Sequence, residues 1–323
     1  MVDMVVEELF DVFSAMDVLD GLPEARYVVD QMIPEGSVTL LVGEAGCGKT
    51  YAMLSLCLCV STGMDWTGKQ TQQGTALFVD EESGQNRLLR RVQSIMNGYG
   101  INPFDAWNCK FVSGEGFNLT DERGVNRFER LIEGQCPSLV VIDALADVIP
   151  GVDENSVKDV QPAFMALRRI AEEHNVAIVV IHHTNKSGGY RGSSAMKGSV
   201  DLLLTVESNS RQSTLTFKSE KVRDGEPFEF SALTRFGDAS FYLAEVTGKR
   251  LVSDSISKSA VLRAFQDLGT LTTDEAINTS KIFAPSISKE SVRRIIRQLV
   301  DDGYLKRVDQ GGQGKKATYG LVS

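Results

Sequence analysis

Residues 43–50 read Gly43-Glu44-Ala45-Gly46-Cys47-Gly48-Lys49-Thr50, directly after the apolar run Ser37-Val38-Thr39-Leu40-Leu41-Val42. This is the pattern G-x-x-x-x-G-K-[ST], placed between a strand and a helix as its chemistry requires. Glycines let successive backbone N–H groups turn toward phosphate oxygens. Lys49 carries positive charge to the β and γ phosphates, and the Thr50 hydroxyl can ligate Mg2+. The expected ligand is a nucleoside triphosphate with Mg2+, held along the loop as far as Tyr51.

Two further carboxylate groups fall where phosphate chemistry needs them. Leu77-Phe78-Val79 ends in Asp80-Glu81-Glu82, at the edge where a water attacking the γ-phosphate could be polarised. The alternative reading of these acids is that they cap the helix starting near Gly84. Asp143 closes the apolar run Leu139-Val140-Val141-Ile142 and fits a Mg2+-positioning aspartate.

These groups must be positioned by alternating strands and helices. Strands are expected at Ser37–Val42, Thr75–Asp80, Ala106–Ser113, Leu139–Asp143 and Ala177–His182. Helices are expected at Thr50–Thr62, Gly84–Asn97, Val125–Glu133 and Ser156–His174. Short continuous apolar runs are the signature of strands covered on both faces, so the fold class is α/β with a mostly parallel sheet flanked by helices. Past Val200 the runs Asp201–Glu207, Ser213–Glu220, Glu226–Leu233 and Phe241–Val246 read as consecutive strands. The polar stretch 247–257 reads as a linker. The expected division is an N-terminal amphipathic helix in residues 1–20, a nucleotide-binding domain in 21–250 and a small domain in 251–323.

The small domain has its own grammar. Two helices are expected around Val261–Phe265 and Thr273–Asn278. Ser288 is a good N-cap for a third, whose stripe is Val292, Ile295, Ile296, Leu299 and Val300. A hairpin with a Gly-rich tip follows, which makes a winged helix-turn-helix. Lys289, Arg293, Arg294 and Arg297, with Lys315 and Lys316 on the wing, are its candidates for duplex DNA contact. A protein-docking module, for a loader or initiator, is the alternative.

The 323 residues carry a net charge of −9, yet residues 255–323 hold 11 Lys/Arg against 7 Asp/Glu. An acidic body with a basic tail excludes an all-over basic coat and is compatible with nucleic-acid contact at specific surfaces. Five cysteines without a CxxC pair argue for a reducing compartment. The acidic N-terminus, with Val5, Val6, Leu9, Phe10 and Phe13 at helical spacing, reads as neither signal peptide nor membrane span. The expected location is cytoplasmic.

The order of motifs, Gly43–Thr50, an acidic second strand end, Ile142-Asp143-Ala144-Leu145 and Val180-Ile181-His182-His183-Thr184, resembles RecA-type motor domains. The segment Pro23–Val42, the turn Met64-Asp65-Trp66-Thr67-Gly68 and Arg191-Gly192-Ser193-Ser194-Ala195 narrow the resemblance to plasmid RepA-type hexameric helicases and their mobile-element relatives. It covers roughly residues 20–235 and leaves out the tail. The resemblance implies that the nucleotide is ATP and that Glu82 activates water, with Glu81 as fallback. It also implies that His183 senses the γ-phosphate and that Lys221 or Arg223 serves the ATP of a neighbouring subunit. Strand alternation turns His182 to the other face. The loop 184–199 is Gly/Ser-rich, carries Lys186, Arg191 and Lys197 with no acid, and offers Tyr190 for base stacking, which suits single-stranded DNA. The expectation is a homo-oligomeric, hexameric helicase or translocase for replication of a plasmid, phage or similar element. The rivals are a RecA/KaiC-like DNA-binding ATPase in recombination or defence, and an ATP-switched winged-helix regulator.

Overall fold

A computed structural model describes residues 14–16, 25–153, 156–184, 194–247, 250–251, 260–265, 268–283, 287–301, 304–309 and 316–322. Most of the expected N-terminal helix, together with Lys186, Tyr190, Arg191 and Lys315, lies outside the described residues.

The body is built on one ten-stranded sheet. Strands β3 (Val38–Glu44), β4 (Ala76–Asp80), β5 (Cys109–Ser113), β6 (Leu139–Asp143), β7 (Ala177–Thr184) and β8 (Leu202–Asn209) run parallel in the order β8-β3-β7-β6-β4-β5. Beyond β8 the sheet continues antiparallel through β9 (Thr214–Val222), β10 (Glu229–Gly237), β11 (Ser240–Thr247) and β12 (Arg250–Leu251). The α/β class expected from the alternation is the observed one. A small hairpin, β1 (Tyr27–Val29) with β2 (Ile33–Pro34), precedes β3 and was not foreseen.

The apolar runs split by residue parity, as strand geometry demands. Leu41, Phe78, Val141 and Val179 face helices α1 (Lys49–Thr62) and α2 (Gln85–Tyr99), along with Phe217 and Phe241 of the antiparallel extension. Leu40, Val79, Val140 and Val180 face α3 (Glu122–Gln135) and α5 (Val157–Glu173), which follows the short α4 (Leu145–Val148). A further short helix, α6 (Ser194–Ser199), leads into β8. Helix α3 starts where the Asp121 side chain accepts the Gly124 N–H at 2.7 Å. Helix α2 lies against β11 so closely that a Cβ on Gly98 would sit 2.0 Å from the Phe241 carbonyl oxygen. Tyr99 then donates its hydroxyl to the Leu243 carbonyl at 3.4 Å, which locks the helix end.

Several strand boundaries differ from expectation: β10 starts three residues and ends four residues later than Glu226–Leu233, and β12 falls inside the stretch 247–257 expected as a linker. Ala106 to Asn108 do not join β5, because Pro103 and the N–H bonds Asp105→Asn102 and Cys109→Ala106 form turns there. They leave Phe104 and Trp107 exposed.

In the tail, residues 260–265 are helical, followed by α7 (Thr273–Phe283) and α8 (Lys289–Asp301). Three short strands, β13 (Leu271–Thr272), β14 (Leu305–Asp309) and β15 (Thr318–Leu321), form a separate sheet in the order β13-β15-β14. The Ser288 hydroxyl accepts the Ser291 N–H at 3.1 Å at the start of α8. Val292, Ile295, Ile296 and Leu299 are buried together with Val261, Phe265 and Ile277. Among the described residues no helix is long and apolar enough to cross a membrane.

Candidate functional site

Four adjacent parallel strands bring the motif residues together at their C-terminal ends. Register places Gly43 opposite His183, and Asp80 opposite Asp143. Between β3 and α1 the loop takes left-handed conformations at Gly46 (φ +77°) and Gly48 (φ +102°), which side chains resist. A Cβ at Gly46 would meet nothing within 4 Å, so the loop opens outward as a cradle. Lys49, only 3 % exposed, donates from Nζ to the carbonyls of Gly43 at 2.7 Å and Glu44 at 2.9 Å. Burial lowers its pKa, and the neighbouring Cys47 and Asp143 oppose that shift.

Thr50 Oγ1 donates to Asp143 Oδ2 at 2.7 Å. Asp143 is fully buried, and its other oxygen, Oδ1, has no hydrogen-bond partner among the described residues. Burial pushes its pKa up to about 6, opposed by the Thr50 hydrogen bond and reinforced by the carboxylates of Glu82 and Asp80. His183 Nε2 lies 3.4 Å from Glu82 Oε2, while His183 Nδ1 is buried and partnerless among the described residues. One ligand atom each from Glu82, Asp143 and His183 falls within 4.8 Å of the others. A buried orphan oxygen beside a threonine hydroxyl, next to a loop with left-handed turns at Gly46 and Gly48, fits Mg2+ with a triphosphate.

The three consecutive acids have separate tasks. Asp80, fully buried, accepts the Ser83 N–H at 3.0 Å and the Ser113 hydroxyl at 3.4 Å. Glu81 accepts N–H groups from Glu115 at 3.2 Å and Gly116 at 3.0 Å. Glu82 alone of the three joins the cluster. None of them caps α2, whose N-cap is Gly84 without a side-chain hydrogen bond. His182 is 7 % exposed, and burial, helped by His183 and Lys49, lowers its pKa to about 4, so its ring is neutral near pH 7.

Tyr51 is half-buried at the start of α1, 5.7 Å edge-on from Phe236 and 4.6 Å from Phe241. The Arg91 guanidinium lies 5.8 Å over the Tyr51 ring and donates to the Ser83 hydroxyl at 2.8 Å. Arg91 and the exposed Phe236 were not singled out from the sequence. Arg91 sits on the i, i+4, i+7 face from Gly84 through Leu88, a usable signal, whereas Phe236 gave none.

Lys221 and Arg223 lie at the opposite strand ends from the phosphate loop, since Lys221 pairs with Leu203 near the start of β8. Lys221 Nζ donates to the carbonyls of Lys197 at 2.8 Å and Val200 at 2.6 Å, closing the C-terminus of α6. Arg223 pairs with Asp201 at 3.2 Å, and Asp201 also accepts the Val38 N–H at 2.9 Å. Lys197 is exposed. In the tail, Lys289, Arg293, Arg294 and Arg297 are exposed along α8, whereas Lys316 is ion-paired with Asp274.

Residues 6–189 match the AAA domain family. The DNA repair protein RadA of Listeria monocytogenes is 25% identical over 214 residues, 65% of this chain and 41% of that protein. RadA of Haemophilus influenzae is 28% identical over 214 residues, 64% of this chain and 40% of that protein. The chain therefore spans about two fifths of the length of these relatives. Among solved structures, an isolated ATPase domain superposes with a TM-score of 0.53 at 12% identity, covering 76% of this chain and 99% of that one. A DnaB-like replicative helicase, solved in a study of its interactions with primase, gives a TM-score of 0.55 at 13% identity, covering 76% of this chain and 71% of that one. With both, the shared feature is the RecA-like fold.

Proposed function

The chain belongs to the AAA domain family, and from that premise we propose that it is an ATP-hydrolysing, ring-forming DNA helicase or translocase of the RepA type. It acts on single-stranded DNA in the replication of a plasmid, phage or other mobile element. The observation that carries the hydrolytic part is the convergence of Thr50, Glu82, Asp143 and His183 beside Lys49 at one sheet edge.

In this reading Lys49 leaves the carbonyls of Gly43 and Glu44 for the β and γ phosphates, and the loop N–H groups of residues 43–50 take the remaining oxygens. Thr50 and the orphan oxygen of Asp143 would hold Mg2+, which neutralises phosphate charge when bound. Glu82 accepts the proton of the attacking water. His183, in contact with Glu82, feels the γ-phosphate through its ring. The base of the nucleotide rests against Tyr51, Arg91 and Phe236. Arg223 leaves Asp201 to stabilise the phosphoryl charge at the adjacent subunit's site, and Lys221 holds α6 in place. That element starts the C-terminal side of the segment 184–199, where Lys186, Tyr190, Arg191 and Lys197 contact single-stranded DNA. The tail, read as a winged helix, takes duplex DNA through Lys289, Arg293, Arg294 and Arg297, or a loader protein through the same face.

ATP hydrolysis measured with and without single-stranded DNA, then strand separation on a forked duplex, tests the proposal. A chain that stays monomeric with ATP, Mg2+ and DNA present would refute the ring. A second reading is favoured by the RadA relatives: a DNA-stimulated ATPase of recombination or repair. DNA-stimulated hydrolysis without strand separation would select it.

A further inference from the structure

We infer that Glu81 is a positioning residue for hydrolysis: by accepting two backbone N–H groups from the loop after β5, it locks the turn that aims Glu82 at Asp143 and His183. This rests on the reading of Glu82 as the water-activating group.

Glu82 has little to hold it. Its side chain is 51% exposed, and its contact in the cluster is the 3.4 Å approach to His183. Its aim is therefore set by the backbone of the turn 80–83. That turn is fastened from inside by Asp80, through the Ser83 N–H, and by the Glu81 N–H, which donates to the Asp143 carbonyl at 2.8 Å. From outside it is fastened by Glu81, whose Oε1 accepts from Glu115 at 3.2 Å and whose Oε2 accepts from Gly116 at 3.0 Å.

The loop is shaped for this purpose. Gly114 and Gly116 both have φ of +66°, and the Gly114 N–H donates to the Asp80 carbonyl at 3.0 Å. Its far side is anchored on α3, where Arg127 donates to the Glu115 carbonyl at 2.7 Å and lies 5.0 Å over the Phe117 ring. A carboxylate gripped by two N–H donors also cannot swing toward Asp143, where it would add a second negative charge beside Glu82.

The test is a double-mutant cycle on the full chain, read by single-turnover ATP hydrolysis, equilibrium titration with a fluorescent ATP analogue and the thermal midpoint. Glu81→Ala should lower the rate roughly 10- to 100-fold, the loss expected from a reacting group displaced by about 1 Å, with analogue affinity within about twofold. Glu81→Gln, isosteric and keeping one acceptor oxygen, should fall between the two. In a Glu82→Gln background, Glu81→Ala should cost nothing more, because the group it positions is gone. Wild-type turnover in Glu81→Ala, or the same loss in both backgrounds, would overturn the inference while leaving the role of Glu82 intact. Wild-type turnover in Glu82→Gln would overturn that role and, with it, this inference.

Discussion

Asp143→Asn should make the protein more stable and less active, and the size of the gain follows from burial. The Asp143 carboxyl titrates at about 6 rather than 3.8, chiefly because burial disfavours its charged form. A shift of about two units corresponds to about 3 kcal/mol. Because the folded-state pKa lies above the unfolded one, no penalty exists below about pH 4, where both states hold the proton. The penalty grows as pH rises toward about 6 and is complete above it. Asparagine keeps an oxygen for the Thr50 hydroxyl without the charge. In chelator, without nucleotide, its thermal midpoint at about pH 8 should exceed that of the wild type by several degrees, and the difference should vanish near pH 4. With Mg2+ and ATP the order should narrow or reverse, because only the carboxylate gains a cation. A midpoint no higher than wild type at about pH 8, or a gain independent of pH, would refute the reasoning that Asp143 is a charge held buried for a ligand.

Lys49→Ala should lose nucleotide binding in equilibrium titration, since it removes the ammonium held between the Gly43 and Glu44 carbonyls; Glu82→Gln should bind normally and turn over only at a slow residual rate, measurable in single turnover. Arg223→Ala should retain nucleotide affinity while losing hydrolysis. Lys221→Ala should instead lower stability by about 1 to 2 kcal/mol in denaturant titration, through the unmet carbonyls of Lys197 in α6 and of Val200 just after it. Replacing Arg293 and Arg294 together should weaken duplex binding and flatten its salt dependence by about one log–log unit per lost phosphate contact, with stimulation by single-stranded DNA unchanged. Unaltered duplex affinity across salt concentrations would make the tail a protein-docking module.

The phosphate loop, the strand-end aspartate and the α/β alternation were legible because their signals are local. Phosphate chemistry requires glycines and Lys49-Thr50 in fixed succession, and a strand covered on both faces must be apolar at every position, as Leu139 to Ile142 are. Choices among equivalent neighbours were not legible. Asp80, Glu81 and Glu82 are told apart mainly by partners far along the chain: Ser113 on β5, the N–H groups of Glu115 and Gly116, and His183 on β7, with the Ser83 N–H as the one local partner, on Asp80. Lys221 and Arg223 likewise differ by what α6 and Asp201 place beside them. Arg91 joined the site because α2 is pinned on β11 at Gly98 and Tyr99, so that its guanidinium spans Ser83 and Tyr51. Residue type and spacing determined which chemistry the chain can support. Which carboxylate or cation faces the candidate site is a property of hydrogen bonds and close packing between segments distant in sequence, and only the folded sheet decides it.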